Sequence, residues 1–351
     1  MIANSDRYAV IAGNGRSGTN WLLTMMDASP LTHCRNEPHG IATSPYHQLP
    51  NPPFEINNHE MTSFRWDAFA AWTANTMGER DHHINHPKRH VHRWSQKIGL
   101  AYLPARPKVQ RFWRPLIPAL QRGEWPMPFW VGNSRRLKEA VAVFKLTDMK
   151  AWTVEWVLQQ RSHIPVIHII RHPGGQLNSG IKRFFSTLTP TQQERERFLY
   201  QSYLKQGVAV HPEWAEIIGD IDALSMVEAV AWFWRYNNEM IFIAGKYAPN
   251  YLRIIYEDLV QDPLAYARKV YDFCHLPWTP EIETIIGKGL TTSVWGKLDK
   301  TPLEVANDWK SKLAPDYQEV VHRVLESSIM ESWWGQDEKT RVWEPSPISR
   351  R

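Results

Sequence analysis

An α/β fold, a parallel sheet flanked by helices, is predicted from three observations. Tyr8–Ala12 is an apolar run that breaks into a glycine-rich turn, Gly13 to Gly18, and then into a helical pattern with Trp21, Leu22, Met25 and Met26 on one side. Ala140–Phe144 and Val166–Ile170 are continuous apolar runs, as expected of strands buried on both faces. Helical patterns alternate with these runs and with a further one at Tyr251–Tyr256, the order that builds parallel crossovers.

Taken in order, Pro30 stops the first helix, and Leu31–Gly40 contains a short strand ending near Glu37. Trp152–Arg161, Thr189–Leu204 and Val227–Ile243 are predicted helices, as is the segment beginning at Pro173, since proline suits a first helical turn. Between about 41 and 135 the pattern is irregular and dense in Pro, Trp and His. A helix is expected there over Met61–Met77, with Phe64, Ala68, Ala71 and Met77 on one side. The rest of that stretch reads as an insertion shaping an acceptor pocket or lid, since long irregular segments in compact domains are usually functional. His82, His83, His86, His90 and His92 cluster within it. They read as a basic polar loop, because a compact cysteine or carboxylate set for a metal is missing; no metal site is expected.

The chain has 351 residues and a formal net charge of +5. That length suffices for one large α/β domain or two smaller ones, and 1–351 is taken as a single domain. The mild positive charge suits an anionic nucleotide ligand and is too weak to argue for nucleic acid. Cys34 and Cys274 imply no disulfide framework. No basic-then-apolar leader and no run approaching about 20 apolar residues is present, so a cytoplasmic protein without a membrane partner is expected. Nothing in the pattern speaks to oligomeric state. The 18 Trp suit either a core or an aromatic-walled pocket, the latter for a cationic or ring-bearing acceptor.

The turn carries the chemistry. A glycine-rich loop opening a helix aims backbone N–H groups and the helix dipole at one point, a ready oxyanion site. Gly13 and Gly18 have the spacing of a nucleotide-triphosphate loop, which continues Lys-Ser/Thr. Here Thr19 and Asn20 follow instead, so the lysine for a terminal phosphate and the hydroxyl for magnesium are both missing. The cation stands at Arg16. A carboxylate at Glu37, at the end of a strand beside this loop, is well placed for chemistry, because open α/β sheets bind ligands at their strands' C-terminal ends. Arg171 likewise ends an apolar run, and Ser179 lies eight residues on, about two turns into the next helix. A guanidinium and a hydroxyl so placed can grip a phosphate together. Two phosphate sites on adjacent strand ends suit a nucleotide phosphorylated on both its 3′ and 5′ sides.

These motifs resemble those of sulfotransferases that use 3′-phosphoadenosine 5′-phosphosulfate (PAPS). Arg16-Ser-Gly-Thr-Asn-Trp21 is similar to the family's 5′-phosphosulfate loop, and Arg171-His-Pro with Ser179 to its 3′-phosphate site. Met26-Asp27-Ala28-Ser29-Pro30 leading to Cys34-Arg35-Asn36-Glu37 resembles the protein-tyrosine sulfotransferase branch, where a Glu of a Cys-Gly-Glu-Glu run is the general base. Asn36 stands where that branch has the first of its two glutamates. Lys145, after an apolar run, resembles the catalytic lysine; the cytosolic branch has a basic His two positions later, where Thr147 stands here. Tyr256-Glu-Asp-Leu259 with Asp262-Pro263 resembles a shared structural segment. Lys300 and Trp309, nine residues apart, resemble the Lys and Trp of a C-terminal loop that closes over the nucleotide, with Lys310 and Lys312 as weaker matches. The resemblance covers 7–40, 140–184 and 227–320 but not 41–135.

The resemblance implies a P-loop NTPase-like sulfotransferase fold and in-line transfer of a sulfuryl group from PAPS to a hydroxyl or amine of a small-molecule acceptor, leaving 3′-phosphoadenosine 5′-phosphate (PAP). It implies catalytic Glu37, Lys145 and Arg16, with Asp148 as the alternative base. It implies nucleotide contacts from Gly15, Arg16, Ser17, Gly18, Thr19, Asn20, Trp21, Arg171, Ser179, Lys300 and Trp309, with Trp21 stacking the adenine. Removing one electrostatic group of this kind commonly costs about 10²- to 10³-fold in rate. The expected acceptor is a small cytoplasmic metabolite or a specialised natural product. The alternatives are a P-loop kinase acting on a small hydroxyl and a non-catalytic nucleotide-binding protein.

Overall fold

The structure, a computed structural model, describes residues 7–40, 44–49, 59–78, 124–126, 140–183, 185–289, 292–293, 296–297 and 301–334. Lys300, the histidine cluster at 82–92 and most of the Pro- and Trp-rich insertion lie outside the described residues.

Five strands form the central sheet: β1 (Tyr8–Gly13), β2 (Thr32–Asn36), β3 (Val141–Thr147), β4 (Val166–Ile170) and β5 (Tyr251–Ile255). Their spatial order is β2-β3-β1-β4-β5, and every neighbouring pair is parallel. All residues of β1, β3 and β4 are buried, because helices cover both faces. Period-two alternation divides each strand between two cores. Val10, Phe144 and Val166 face one core together with Trp152, Trp156 and the aromatic residues of α6 (Met226–Gly245). Ile11, Val143 and Ile167 face the other, against Leu22 and Met26 of α1 (Thr19–Asp27).

The topology opens a crevice. β1 leads through α1 to β2 on one side of it, whereas β4 leads to β5 on the other side. The loops leaving the C-terminal ends of the neighbours β1 and β4 therefore diverge, which is where open α/β sheets bind ligands.

Two expectations are corrected by the structure. β3 runs to Thr147, so Lys145 lies inside the strand, hydrogen-bonded in register between Ile11 of β1 and Asn36 of β2, rather than beyond its end. In the insertion, α2 spans His59–Asn75, and 76–78 leave it to pair antiparallel with 124–126. The buried face of α2 is Trp66, Phe69, Ala70 and Ala74, while Phe64 is 72% exposed. The two large rings at 66 and 69, with Trp66 Nε1 donating to the Tyr8 hydroxyl, set the rotation of the helix against the core. Phe64 lies off that face.

The core also contains a histidine that must stay neutral. His168 of β4 is fully buried between the Tyr251 hydroxyl (2.8 Å) and Asn238 Oδ1 (2.9 Å). Burial pushes its pKa down to about 3, from an unfolded value near 6.5. The unfolded chain thus binds the extra proton, so this contribution is fully present above about pH 6.5 and is lost as pH falls toward 3. Urea midpoints are expected to fall across that window. His168→Gln is expected to flatten the fall by up to about 1.4 kcal/mol per pH unit. An unchanged acid limb in the variant would sink this assignment.

Candidate active site

The turn after β1 leaves backbone N–H groups open at the start of a helix. Gly18 caps α1 at φ 96°, a left-handed conformation suited to glycine. A Cβ there would lie 2.5 Å from Cδ2 of Tyr256 and 3.2 Å from Ile169. Gly18→Ala is therefore expected to lower unfolding free energy by about 1–3 kcal/mol from backbone strain, with further loss from the displaced Tyr256 ring. Chemical denaturation measures it, and an unchanged midpoint would show that the turn is built otherwise. The Gly15 N–H donates to Asp148 Oδ1 at 2.8 Å, and the Ser17 N–H and hydroxyl both donate to the Asn14 carbonyl. Among the described residues, the N–H groups of Arg16, Gly18, Thr19 and Asn20 have no protein acceptor. Together with the helix dipole they form an oxyanion cradle.

Beside the cradle stands a charged pair. Lys145, 1% exposed, extends Nζ to Asn20 Oδ1 and, at 2.9 Å, to Glu37 Oε1. The Thr147 hydroxyl donates to the same carboxylate oxygen at 2.8 Å. The Glu37 N–H continues the β2–β3 ladder by donating to the Lys145 carbonyl at 2.9 Å, which fixes the carboxylate at the strand end. Thr147 was read only as the residue replacing a base. Its contact was legible, since residues 145 and 147 share one face of a strand.

Three turns here are strained. Arg16, Glu37 and Asp148, each just past the end of a neighbouring strand, have φ of 70°, 52° and 55°. Left-handed backbone in non-glycine residues clusters at functional sites, where the surrounding structure holds it. Burial raises the Asp148 pKa, and the Gly15 N–H partly offsets this.

The end of β4 completes the crevice. The Arg171 guanidinium donates from Nη1 to the Arg16 carbonyl (3.1 Å) and from Nη2 to the Val305 carbonyl (2.9 Å), and lies over the Tyr256 ring at 4.6 Å. Its Nε is buried without a protein partner. Ser179, in α4 (Pro173–Arg183), accepts from Arg16 Nε at 2.9 Å. Gln176 of the same helix donates to the Gly15 carbonyl at 3.0 Å. The two motifs thus touch directly. Desolvation first, then the Arg183 and Arg171 charges, hold the Arg16 pKa below the usual arginine value. A crowded cationic cluster of this kind gains from a bound anion.

Two predicted nucleotide contacts, Trp21 and Trp309, pack on other rings of the protein. Trp21 is half-buried and edge-on to Tyr256 at 6.3 Å. Trp309 is 9% exposed, stacks on His172 at 4.2 Å and covers Gly174. His172 also receives the Gly174 N–H and donates its own N–H to Glu257, which in turn accepts from Trp334 Nε1. Burial pushes the His172 pKa down to about 3. Neither Tyr256, His172 nor Gln176 was singled out from the sequence as a site residue.

A sequence profile of the sulfotransferase family matches residues 9–280. The chain belongs to the sulfotransferase family. Among solved structures, this sulfotransferase is similar to the sulfotransferase domain of the Synechococcus PCC 7002 olefin synthase, at 16% identity over 91% of this chain and 94% of that one, with a TM-score of 0.39. It is also similar to the sulfotransferase domain from the curacin biosynthetic pathway (14% identity, 91% and 97% coverage, TM-score 0.41). A third is mouse sulfotransferase SULT7A1 complexed with PAP (11% identity, 97% and 89% coverage, TM-score 0.40). Curated protein sequences gave no significant match. Among the described residues, no helix of this sulfotransferase is long and apolar enough to cross a membrane, and no group of three or more His, Cys, Asp or Glu could hold a metal ion.

Proposed function

We propose that this sulfotransferase moves a sulfuryl group from PAPS to a hydroxyl or amine of a small-molecule acceptor. The observation that carries the reading is the convergence, on neighbouring strand ends, of the Gly13–Gly18 cradle and the Arg171–Ser179 pair, with Lys145 and Glu37 between β1 and β2. One oxyanion site next to another fits a 3′,5′-bisphosphorylated nucleotide. The open N–H groups of the cradle and the unpartnered Arg171 Nε are donors that such phosphates would satisfy.

PAPS supplies an activated sulfuryl group with a good leaving group, and the chain supplies position and charge. Gly18 to Asn20 hold the 5′-phosphate through backbone N–H groups, with Ser17 closing the turn on the Asn14 carbonyl. Arg171 and Ser179 hold the 3′-phosphate. Lys145 and Arg16 stabilise charge developing on the bridging and sulfuryl oxygens. Glu37, anchored by Thr147, takes the acceptor proton. Asp148, engaged with the Gly15 N–H, holds the loop. Trp309, packed on His172, supports the floor under Arg171 rather than covering the nucleotide. Lys300 is assigned to the nucleotide from the family resemblance alone, with Lys310 and Lys312 as weaker candidates.

The purified protein is to be incubated with PAPS, and separately with ATP and magnesium, while donor consumption is followed. Consumption of PAPS alone is expected. Consumption of ATP alone would replace this reading with that of a kinase. Stabilisation by PAP without consumption of either donor across an acceptor panel would reduce it to nucleotide binding.

A further inference from the structure

Beyond the charged pair, aromatic rings gather around Lys150. Lys150 begins α3 (Ala151–Gln160) as its N-cap, two residues after Asp148. Its Nζ sits 2.8 Å from the centroid of the Tyr203 ring and 5.1 Å from that of Phe233. Tyr200 meets Tyr203 edge-on at 6.1 Å, and both tyrosines pack on Phe233. On the other flank, Tyr46 packs edge-on to His39 at 5.4 Å, two residues from Glu37, and lies close enough to Tyr203 for the two phenols to influence each other's ionisation. The wall therefore runs from the Glu37 turn across to α5 (Pro190–Val210) and α6. It shares electrostatics with the reacting groups, because the Asp148 carboxylate acts on Glu37, Lys145 and Lys150 and also on Tyr200 and Tyr203. Asp148, Lys150, Tyr200, Tyr203 and Tyr46 are all half-buried and so reachable from solvent.

The chemistry of this wall is specific. Desolvation lowers the Lys150 pKa to about 7, against the opposing pull of Asp148. Among the described residues no carboxylate lies within ion-pair distance of Nζ, which rests on the ring face, so a second anion beside it would stabilise the ammonium. The flexible stem lets Nζ turn from the ring face toward such an anion, leaving Tyr203 open to a flat ligand. Flat rings on Tyr203 and Tyr200 gain stacking and apolar burial that a small aliphatic chain lacks.

We propose that this wall is the acceptor subsite and that Lys150 is its specificity-determining residue, selecting a ring-bearing acceptor that carries a carboxylate or comparable anion in addition to the group that receives the sulfuryl. The inference rests on the reaction proposed above.

Three acceptors with one ring and one hydroxyl separate the charges: 4-hydroxyphenylacetate, 4-ethylphenol and tyramine. Transfer of labelled sulfuryl from PAPS is measured with each. The anionic acceptor is expected to exceed the other two by about tenfold in kcat/KM, the effect of one charge-assisted hydrogen bond, and chiefly through KM. Lys150→Met is expected to erase the preference and Lys150→Glu to turn it toward tyramine, while the PAP-induced thermal shift stays as in the wild type. Tyr203→Leu is expected to raise KM for all three and provides a second route if Lys150 variants fold poorly. The subsite is overturned if wild type prefers the neutral or cationic acceptor, if Lys150→Met keeps the preference, or if Tyr203→Leu leaves KM unchanged. It is overturned as well if none of the three binds by calorimetry in the presence of PAP. Absence of both PAP binding and PAPS consumption would instead remove the donor reading, and the subsite with it.

Discussion

Glu37→Gln is expected to lower kcat for PAPS-dependent transfer by about 10²- to 10⁴-fold, the usual contribution of a positioned general base. The substitution keeps the shape and the oxygen that accepts from Thr147 and Lys145, so the loss should fall on chemistry and not on assembly. Lys145 loses its charged partner but keeps Asn20, so some stability is lost as well. For that reason kcat must be compared under conditions where the variant is folded, with the PAP-induced thermal shift retained as the control. An unchanged kcat would move the base elsewhere. Asp148 is then the first candidate, since it sits at the end of the adjacent strand and burial raises its pKa.

Arg171→Ala is expected to abolish most of the stabilisation that PAP confers. At about 100 times its Kd a ligand adds about 2.7 kcal/mol. Hydrogen bonds to charged groups contribute about 1.5–3 kcal/mol each, so losing the guanidinium should weaken binding at least about tenfold. Arg171 also ties the Arg16 and Val305 carbonyls, so the free variant should itself melt lower. The informative quantity is therefore the increment produced by PAP in each protein. Arg171→Lys should restore charge but not the fork, and recover only part of the increment. A full PAP shift in Arg171→Ala would place the 3′-phosphate elsewhere.

The middle of the central sheet was legible because β1, β4 and the first half of β3 are continuous apolar runs, as strands buried on both faces require. The positions of Lys145 and Arg171 were legible for a related reason, since each charged side chain interrupts or ends such a run; Arg16 was placed by the glycine turn, and Glu37 only by its distance from that turn, because Thr32–Asn36 is a polar strand. The face of α2 was not legible. Its apolar residues are spread around the helix, and the rotation was decided by where the Trp66 and Phe69 rings fit against Tyr8 and Phe144, a tertiary contact. For a similar reason, the packing of Trp309 was not legible. Local pattern gives a tryptophan beside basic residues, but its stacking partner His172 lies far away in the chain. The aromatic wall on Tyr200, Tyr203 and Phe233 was invisible too, because α5 reads as a charged surface helix and only its packing on α6 turns those tyrosines toward Lys150.

The joint at His172 has a consequence for the making of the protein. Arg171 and His172 are translated long before Val305, Trp309 and Trp334, which respectively tie the guanidinium, stack on the imidazole and cap its Glu257 partner. Domains tend to form from the N-terminal side as the chain leaves the ribosome. A nascent chain stalled before Val305 already contains all five strands and the glycine turn, yet the phosphate grip proposed at Arg171 has no backing. On the proposed reading, such a chain holds only one half of its nucleotide seat. Competence to bind the nucleotide would then arrive with residues 305–334, although none of the five strands of the central sheet lies there.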